Sequence, residues 1–307
     1  MFSIALRNVL VTLLYILPGF LLGKLRRASA NHLSTLSAFL IYVCSPCMLV
    51  STFLTLEFSL QQLQEMLLFM VVTLLLQSLF MLALYLLFRR KYADAQYRVC
   101  TIGSVMGNVG FFGLPIVRAL LPSAPIVMCY SSMYVISMNI LSFTVGVFCL
   151  TTEKKYMSVK PAVLNPSTFG LLVGMLLYVT SLSSHIPDVL SDAVVLLGSM
   201  TTPICMTILG IRLSAVVLKM LFIRPMIYLT CLGKLVLFPL FCYAAVAFLP
   251  FSDAFKASIL ILSATPCASV ILTLAEMHRK ETELAANCVL VSTLLCFVTI
   301  PLLVMIL

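Results

Sequence analysis

Gly107-Asn108-Val109-Gly110-Phe111-Phe112-Gly113-Leu114-Pro115 interrupts one long apolar segment of this chain, and Ser263-Ala264-Thr265-Pro266-Cys267-Ala268-Ser269 interrupts another. The two stretches sit at corresponding places in the two halves of the sequence. In lipid, every backbone N–H and C=O must find a partner, so an interrupted helix survives only where it is buried in protein or lines a cavity. Broken hydrophobic segments in matching halves are the sequence sign of a transporter's binding site.

The surroundings of these stretches are membrane-like throughout. The chain has 307 residues, 62% hydrophobic and 9% charged, with a mean hydropathy of +1.17. A soluble domain of that size needs a more polar exterior. Apolar runs long enough to span a bilayer recur from end to end. Ten are read, at roughly 4–23, 34–56, 66–88, 99–121, 126–150, 164–183, 190–211, 225–249, 254–276 and 285–306. No stretch remains for a soluble catalytic or nucleic-acid-binding module. The first run is too long for a cleaved signal peptide and lacks small residues at a cleavage site.

The net charge of +9 does not imply a nucleic-acid partner, because the basic residues fall in alternate loops. Lys24, Arg26 and Arg27 come first, then Arg89, Arg90, Lys91 and Arg98, then Lys154, Lys155 and Lys160. Arg212, Lys219 and Arg224 follow, then Arg279 and Lys280. The loops between hold Glu57, Glu65, Asp188, Asp192 and Asp253. By the positive-inside rule the basic loops are cytoplasmic, which leaves both termini of a multi-pass cell-membrane protein outside. The eleven cysteines lie mostly within apolar runs. Cys44-Ser45-Pro46-Cys47 lacks the βαβ context of a redox motif and reads as packing.

Residues roughly 150 apart resemble one another. Gly19-Phe20-Leu21-Leu22-Gly23 matches Gly170-Leu171-Leu172-Val173-Gly174, and Ser45-Pro46-Cys47-Met48 matches Thr202-Pro203-Ile204-Cys205-Met206. Five spans per copy is odd, so the second copy must be inverted. The expected fold is an all-α membrane protein of ten helices in two inverted five-helix repeats. Residues 1–150 form the first repeat, 151–168 a cytoplasmic linker, and 169–307 the second.

Each break brings specific chemistry. Thr265-Pro266 reads as an N-cap followed by proline at the first helical position. Gly113-Leu114-Pro115 reads as a second restart, with Gly110 and Gly113 baring the backbone. Helix N-termini present N–H groups and a positive dipole end, which together bind anions without a formal charge. Asn108, Val109, Gly110, Gly113, Pro115, Thr265, Pro266 and Ser269 are the candidate site residues, with Asn139 and Asn287 as additional cavity-lining candidates. Lys234 stands about nine residues into the eighth run, either functional by virtue of its depth or snorkelling to the headgroups. Arg7 and Arg118 lie close enough to the outer face to snorkel.

No Asp or Glu lies deep in a run, so no proton relay of membrane carboxylates is available. An inside-negative potential favours export of a monoanion by about 2.3 kcal/mol per 100 mV, and export or exchange then needs no coupling ion. Sodium held by unwound carbonyls and the hydroxyls of Ser263, Thr265 and Ser269 is the alternative. No other cofactor is expected. The chain lacks the Gly-x-Ser-x-Gly, paired-Asp, Asp-rich or clustered-His patterns of an intramembrane enzyme. Inverted halves suit a carrier better than a channel.

The run from Gly107 to Pro115 resembles the hallmark of the auxin efflux carrier family, which includes bacterial malate and malonate permeases. Asn165-Pro166, Lys234 with Pro239, and Val291-Ser292-Thr293-Leu294 through Ile300-Pro301 extend the resemblance. It implies a scaffold of spans 1, 2, 6 and 7 and a mobile unit of spans 3–5 and 8–10. Broken spans 4 and 9 would cross in that unit and carry an organic carboxylate by an elevator-like movement. The short linker resembles that of bacterial members, and Thr265-Pro266-Cys267 stands where plant exporters are Asn-rich. The expected cargo is therefore a small dicarboxylate such as malate or malonate. A sodium-coupled importer of bile-acid-carrier type is the competing expectation, and a homodimer is compatible with either.

Overall fold

A computed structural model describes the whole chain except Thr55, 217–220 and Phe222; Lys219, counted among the basic residues, lies outside the described residues. The elements are helical. In chain order they are α1 (Phe2–Leu14), α2 (Ile16–Lys24), α3 (Ala30–Phe39), α4 (Ser45–Leu54), α5 (Leu60–Phe88) and α6 (Ala95–Gly103). Then come α7 (Leu114–Leu120), α8 (Ile126–Leu141), α9 (Val147–Thr151), α10 (Lys160–Val163), α11 (Pro166–Val179) and α12 (Asp188–Ser199). The chain ends with α13 (Thr201–Ala215), α14 (Pro225–Leu232), α15 (Phe238–Ala247), α16 (Asp253–Ser263), α17 (Ser269–His278) and α18 (Thr282–Leu303). Starts are written locally. Asp94 accepts from Gln96 N–H at 3.0 Å, and Ser252 accepts from Phe255 N–H at 3.3 Å. Asn165 accepts from Ser167 N–H at 2.9 Å, with Pro166 in the first turn. Each side-chain oxygen satisfies an N–H that the helix itself cannot.

Seven of these helical stretches are long and apolar enough to cross a membrane, counted among the described residues: Phe2–Lys24, Asn31–Leu54, Leu60–Lys91, Ile126–Thr151, Asp188–Ala215, Pro225–Ala247 and Thr282–Ile306. They make this a multi-pass membrane protein. Of the other three apolar runs, two are broken where the sequence places the interruptions, and the third is shorter than the span expected. Run 99–121 splits into α6 and a second helical stretch, Val109–Leu120, and run 254–276 splits into α16 and α17. Run 164–183 contains α11, 14 residues long. At 1.5 Å per residue it spans about 21 Å, short of a hydrocarbon core. It counts as a span only with the preceding Lys154–Val163, from which it bends by 41°.

Small residues set how closely the helices approach. Gly19 and Gly23 of α2 face α13: a Cβ at Gly19 would stand 2.0 Å from the Thr207 carbonyl oxygen. Gly170 and Gly174 of α11 face α4, where a Cβ at Gly170 would stand 2.5 Å from Pro46 Cα. Two glycines four apart let helix backbones touch in lipid, where packing rather than hydrophobicity drives association. The two glycine pairs matched by sequence thus make matching contacts, α2 on α13 and α11 on α4.

A second group of helices is joined by aromatic and polar contacts. Phe69 of α5 stacks on Tyr130 of α8 at 4.5 Å and meets Phe255 of α16 edge-on at 4.8 Å. Buried Gln77 Nε2 donates to Ser137 Oγ at 2.9 Å, and Thr73 shares a bond with the same Ser137. Cys44 and Cys47 are free thiols, Cys44 buried.

Contacts between loops sort them into two ends. At one, Arg224 pairs with Glu281 at 2.8 Å, and Tyr156 meets His278 at 5.0 Å. At the other, Ser252 donates to Glu65 at 2.8 Å, while Tyr178 donates to the Ser59 carbonyl at 3.1 Å. These contacts bring Tyr156 and Arg224 to the loop at 278–281, and residues 59–65 to Tyr178 and Ser252.

Candidate functional site

The two interrupted segments meet at their breaks. Asn108 N–H donates to the Pro266 carbonyl at 2.7 Å, and Ala268 N–H donates to the Met106 carbonyl at 3.0 Å. Gly107 and Cys267 thereby form an isolated antiparallel bridge. Each segment supplies the backbone partners that the other lost by leaving the helix, which is how unwound chain persists in an apolar interior. Ser292 Oγ of α18 accepts from Cys267 N–H at 3.0 Å, and the Cys267 thiol donates to the Gly103 carbonyl at 3.3 Å.

The helices restart at different residues from those expected. In the first segment Asn108 is the cap, and helical geometry resumes at Val109 as a π-helical turn through Gly113. Asn108's carbonyl accepts from Phe112 and Gly113 N–H, each at 3.1 Å. Gly113 and Pro115 thus belong to a helix already under way. In the second segment Ala268 is the cap and Ser269 the first helical residue. Thr265, expected as an N-cap, turns its hydroxyl back to the Leu262 carbonyl at 2.7 Å and closes the end of α16. The bridge decides this: its paired backbone bonds hold residues 106–108 and 266–268 out of helical hydrogen bonding, so the helices begin at Val109 and Ser269.

A cavity of about 190 Å³ opens beside the bridge. It brings together Asn108, Val109, Gly110, Asn139 and Ser269 of the expected set. Its opposite wall holds Ser45, Asn165 and Ser167, with Ser45 and Ser167 sharing a hydroxyl bond at 2.7 Å. These three were not foreseen as lining; the only local sign was the Asn165-Pro166 helix start. The lining contains no Asp, Glu, Lys or Arg. Val109 N–H is taken by the Gly107 carbonyl at 2.8 Å, so the N–H groups left without intrahelical partners at the two helix starts begin at Gly110 and Ser269, and both starts border the cavity.

Five expected residues and Lys234 lie elsewhere. Gly113 packs against the end of α16, where a Cβ would stand 3.0 Å from Leu262 Cδ2 and 2.8 Å from Thr265 Cγ2 just beyond it. Thr265 is fully buried at the bridge, as is the Pro266 carbonyl through its bond to Asn108. Pro115 borders a separate cavity of about 480 Å³ that includes Arg118. Asn287 is buried within α18 and does not line the cavity. Lys234 does not snorkel. It is 0% exposed, and its Nζ donates to the Ser263 carbonyl at 2.5 Å while standing 4.8 Å over the Phe238 ring. The ammonium thus sits on the negative C-terminal end of α16, across from Gly107, where a Cβ would lie 2.9 Å from Nζ.

One device escaped sequence reasoning altogether. Four π-helical turns occur among the described residues: Leu40–Cys44, Val109–Gly113, Ser142–Gly146 and Gly233–Leu237. Three contribute to the cavity wall, through Ile41, Gly110 and Phe143, and the fourth carries Lys234. A π turn shifts the register of a helix by one residue and recurs at functional sites. No residue pattern announces it.

No curated protein matches the chain. The model of the membrane transport protein family, that of the auxin efflux carriers, matches residues 4–304, and the chain belongs to that family.

Proposed function

We propose that this protein is a secondary carrier of small organic anions, working by alternating access in the cell membrane. The observation that carries the reading is the bridged pair of breaks beside an uncharged polar cavity, with two helix N-termini at its edge. Each terminus contributes about 0.3–1 kcal/mol toward an anion, up to ~2 kcal/mol when partly buried. That is weak enough for release. Asn108 and Asn139 add neutral donors, and a carboxylate would accept from Asn108 and from the N–H groups beginning at Gly110 and Ser269. A cavity of about 190 Å³ falls below the roughly 300–1,000 Å³ of drug-sized sites. A small mono- or dicarboxylate such as malate or malonate fits this scale.

Ten crossings in two inverted halves, with cytoplasmic basic loops and outward termini, are part of the same proposal. The matched contacts α2–α13 and α11–α4, and the mutual bridge of the two breaks, are what two copies related by a two-fold axis would make. Spans 1, 2, 6 and 7 would form the scaffold and spans 3–5 and 8–10 the moving unit. The cavity has Ser45, Asn165 and Ser167 on the first side and Asn108, Asn139 and Ser269 on the second, so sliding one past the other would carry cargo.

The bond from Lys234 favours anion export or exchange over sodium-coupled import. Its ammonium already occupies the carbonyl end of α16, the position a coupling cation would take beside the break. Proteoliposomes loaded with unlabelled malate test the proposal. Wild type is expected to accumulate labelled malate by counterflow with or without sodium, and Asn108→Ala to fall to the protein-free background while eluting as wild type. Strict sodium dependence would return the bile-acid-carrier reading. Wild-type exchange by Asn108→Ala would remove that residue from the site, and single-channel currents would replace the carrier by a channel.

A further inference from the structure

A second cavity, larger than the one at the crossing, lies at the basic end of the molecule. It holds about 470 Å³ and is walled by α2, α3 and α13 on one side and by α17 and α18 on the other. Its lining is apolar for the most part, with Leu33, Leu272 and Leu290 prominent. The exceptions are Arg26, Ser29, Arg212 and Ser214. Arg26 follows α2 with a left-handed backbone, φ 57°, and the chain after it, through Ala28, Ser29 and Leu33, continues along the lining. Arg212 lies 3.6 Å from Glu276 of α17, and among the described residues no acid pairs with Arg26, so positive charge is in excess there. Leu22 and Leu25, flanking this turn, are 41% and 68% exposed. Apolar surface therefore runs up to the arginines from the side that faces acyl chains.

We propose that this cavity binds the headgroup of an anionic phospholipid. A phosphate would pair with Arg26 and Arg212 and accept from Ser29 or Ser214, while the acyl chains lie along the leucines. Basic pockets between membrane helices recognise anionic headgroups by this chemistry. A soluble anion would gain the same charge pairing but leave the apolar walls uncovered, and the walls are what select a lipid.

The test is native mass spectrometry of the purified full-length protein, titrated with phosphatidylglycerol or phosphatidylcholine of the same chains. Wild type is expected to retain one phosphatidylglycerol in preference to phosphatidylcholine. Arg26→Gln and Arg212→Gln should each weaken that retention by about fivefold, as one arginine at a membrane surface contributes. Glu276→Gln frees Arg212 and should strengthen it, which a merely structural role for the ion pair would not do. Arg89→Gln with Arg90→Gln, basic but outside the cavity, should bind as wild type. If Arg212→Gln fails to fold, Arg26→Gln in its exposed loop carries the comparison. Equal retention of the two lipids, undiminished binding by Arg26→Gln, or displacement of the lipid by free glycerol 3-phosphate would overturn the proposal. None of these readouts depends on transport, so the lipid site and the carrier reading fail separately.

Discussion

Lys234→Met is expected to lower the melting temperature by about 5 °C and to reduce malate counterflow to near background. Methionine fills the volume of the lysine stem but supplies no donor. The Ser263 carbonyl, held by Nζ at 2.5 Å, would then be buried without a partner, which costs about 1–3 kcal/mol. At roughly 2 °C per kcal/mol for a chain of this size the shift follows. Transport should fall further than stability, because the ammonium also stands against Gly107 at the bridge. Arginine should not rescue the variant. Its planar fork is larger than an ammonium, and the site is fully closed. The chain has no tryptophan, so melting is best followed with a thiol-reactive dye; every cysteine but Cys47 is buried in the fold. A Lys234→Met protein that melts within about 1 °C of wild type and exchanges malate normally would show that the ammonium does not support the crossing.

Gly210→Val should prevent recovery of folded protein. A Cβ at Gly210 would stand 2.1 Å from the Ile16 carbonyl oxygen and 2.7 Å from the Phe20 nitrogen. These are backbone atoms of α2, which cannot rotate away, so α2 and α13 must separate. Overpacking of a well-filled interior costs about 1–3 kcal/mol, occasionally more; backbone contact on this scale belongs at the upper end. The reciprocal contact of Gly19 with Thr207 would open at the same time. Gly110→Ala is the comparison. There the nearest atoms are side-chain methyls, Met48 Cε at 3.3 Å and Val135 Cγ2 at 3.4 Å, and methionine yields readily. Gly110→Ala is expected to fold and melt as wild type but to transport poorly, since it narrows the cavity. Monodisperse Gly210→Val with a wild-type melt would show that the two helices are not held at backbone contact.

The residues that decide membrane residence, the positions of both breaks and the alternation of charged loops could all be read along the chain. Each is a local property: apolar length, missing N–H donors, alternating loops. The paired glycines at 19, 23, 170 and 174 were legible as an internal match, but the close helix approach they permit appears only with α13 and α4 packed against them. The exact restart of each broken helix could not be read so. Threonine and proline at 265–266 are good starting residues, but the bonds from Asn108 to Pro266 and from Ala268 to Met106 engage that stretch with the other segment, and the helix starts at Ser269. Likewise Lys234 is a lone charge in a hydrophobic run until α16 presents its carbonyl end.

What the amino-acid order determined by itself is that the chain enters lipid as helices and must break twice at their middles, because glycine and proline act on their own backbone and lipid offers no other donor or acceptor. What only tertiary structure decided is how the breaks are satisfied and which groups face the cavity. Asn108, Pro266, Ser45 and Ser167 meet across more than a hundred residues of sequence, and hydrogen-bond geometry between such distant groups is set by packing, not by neighbours in the chain.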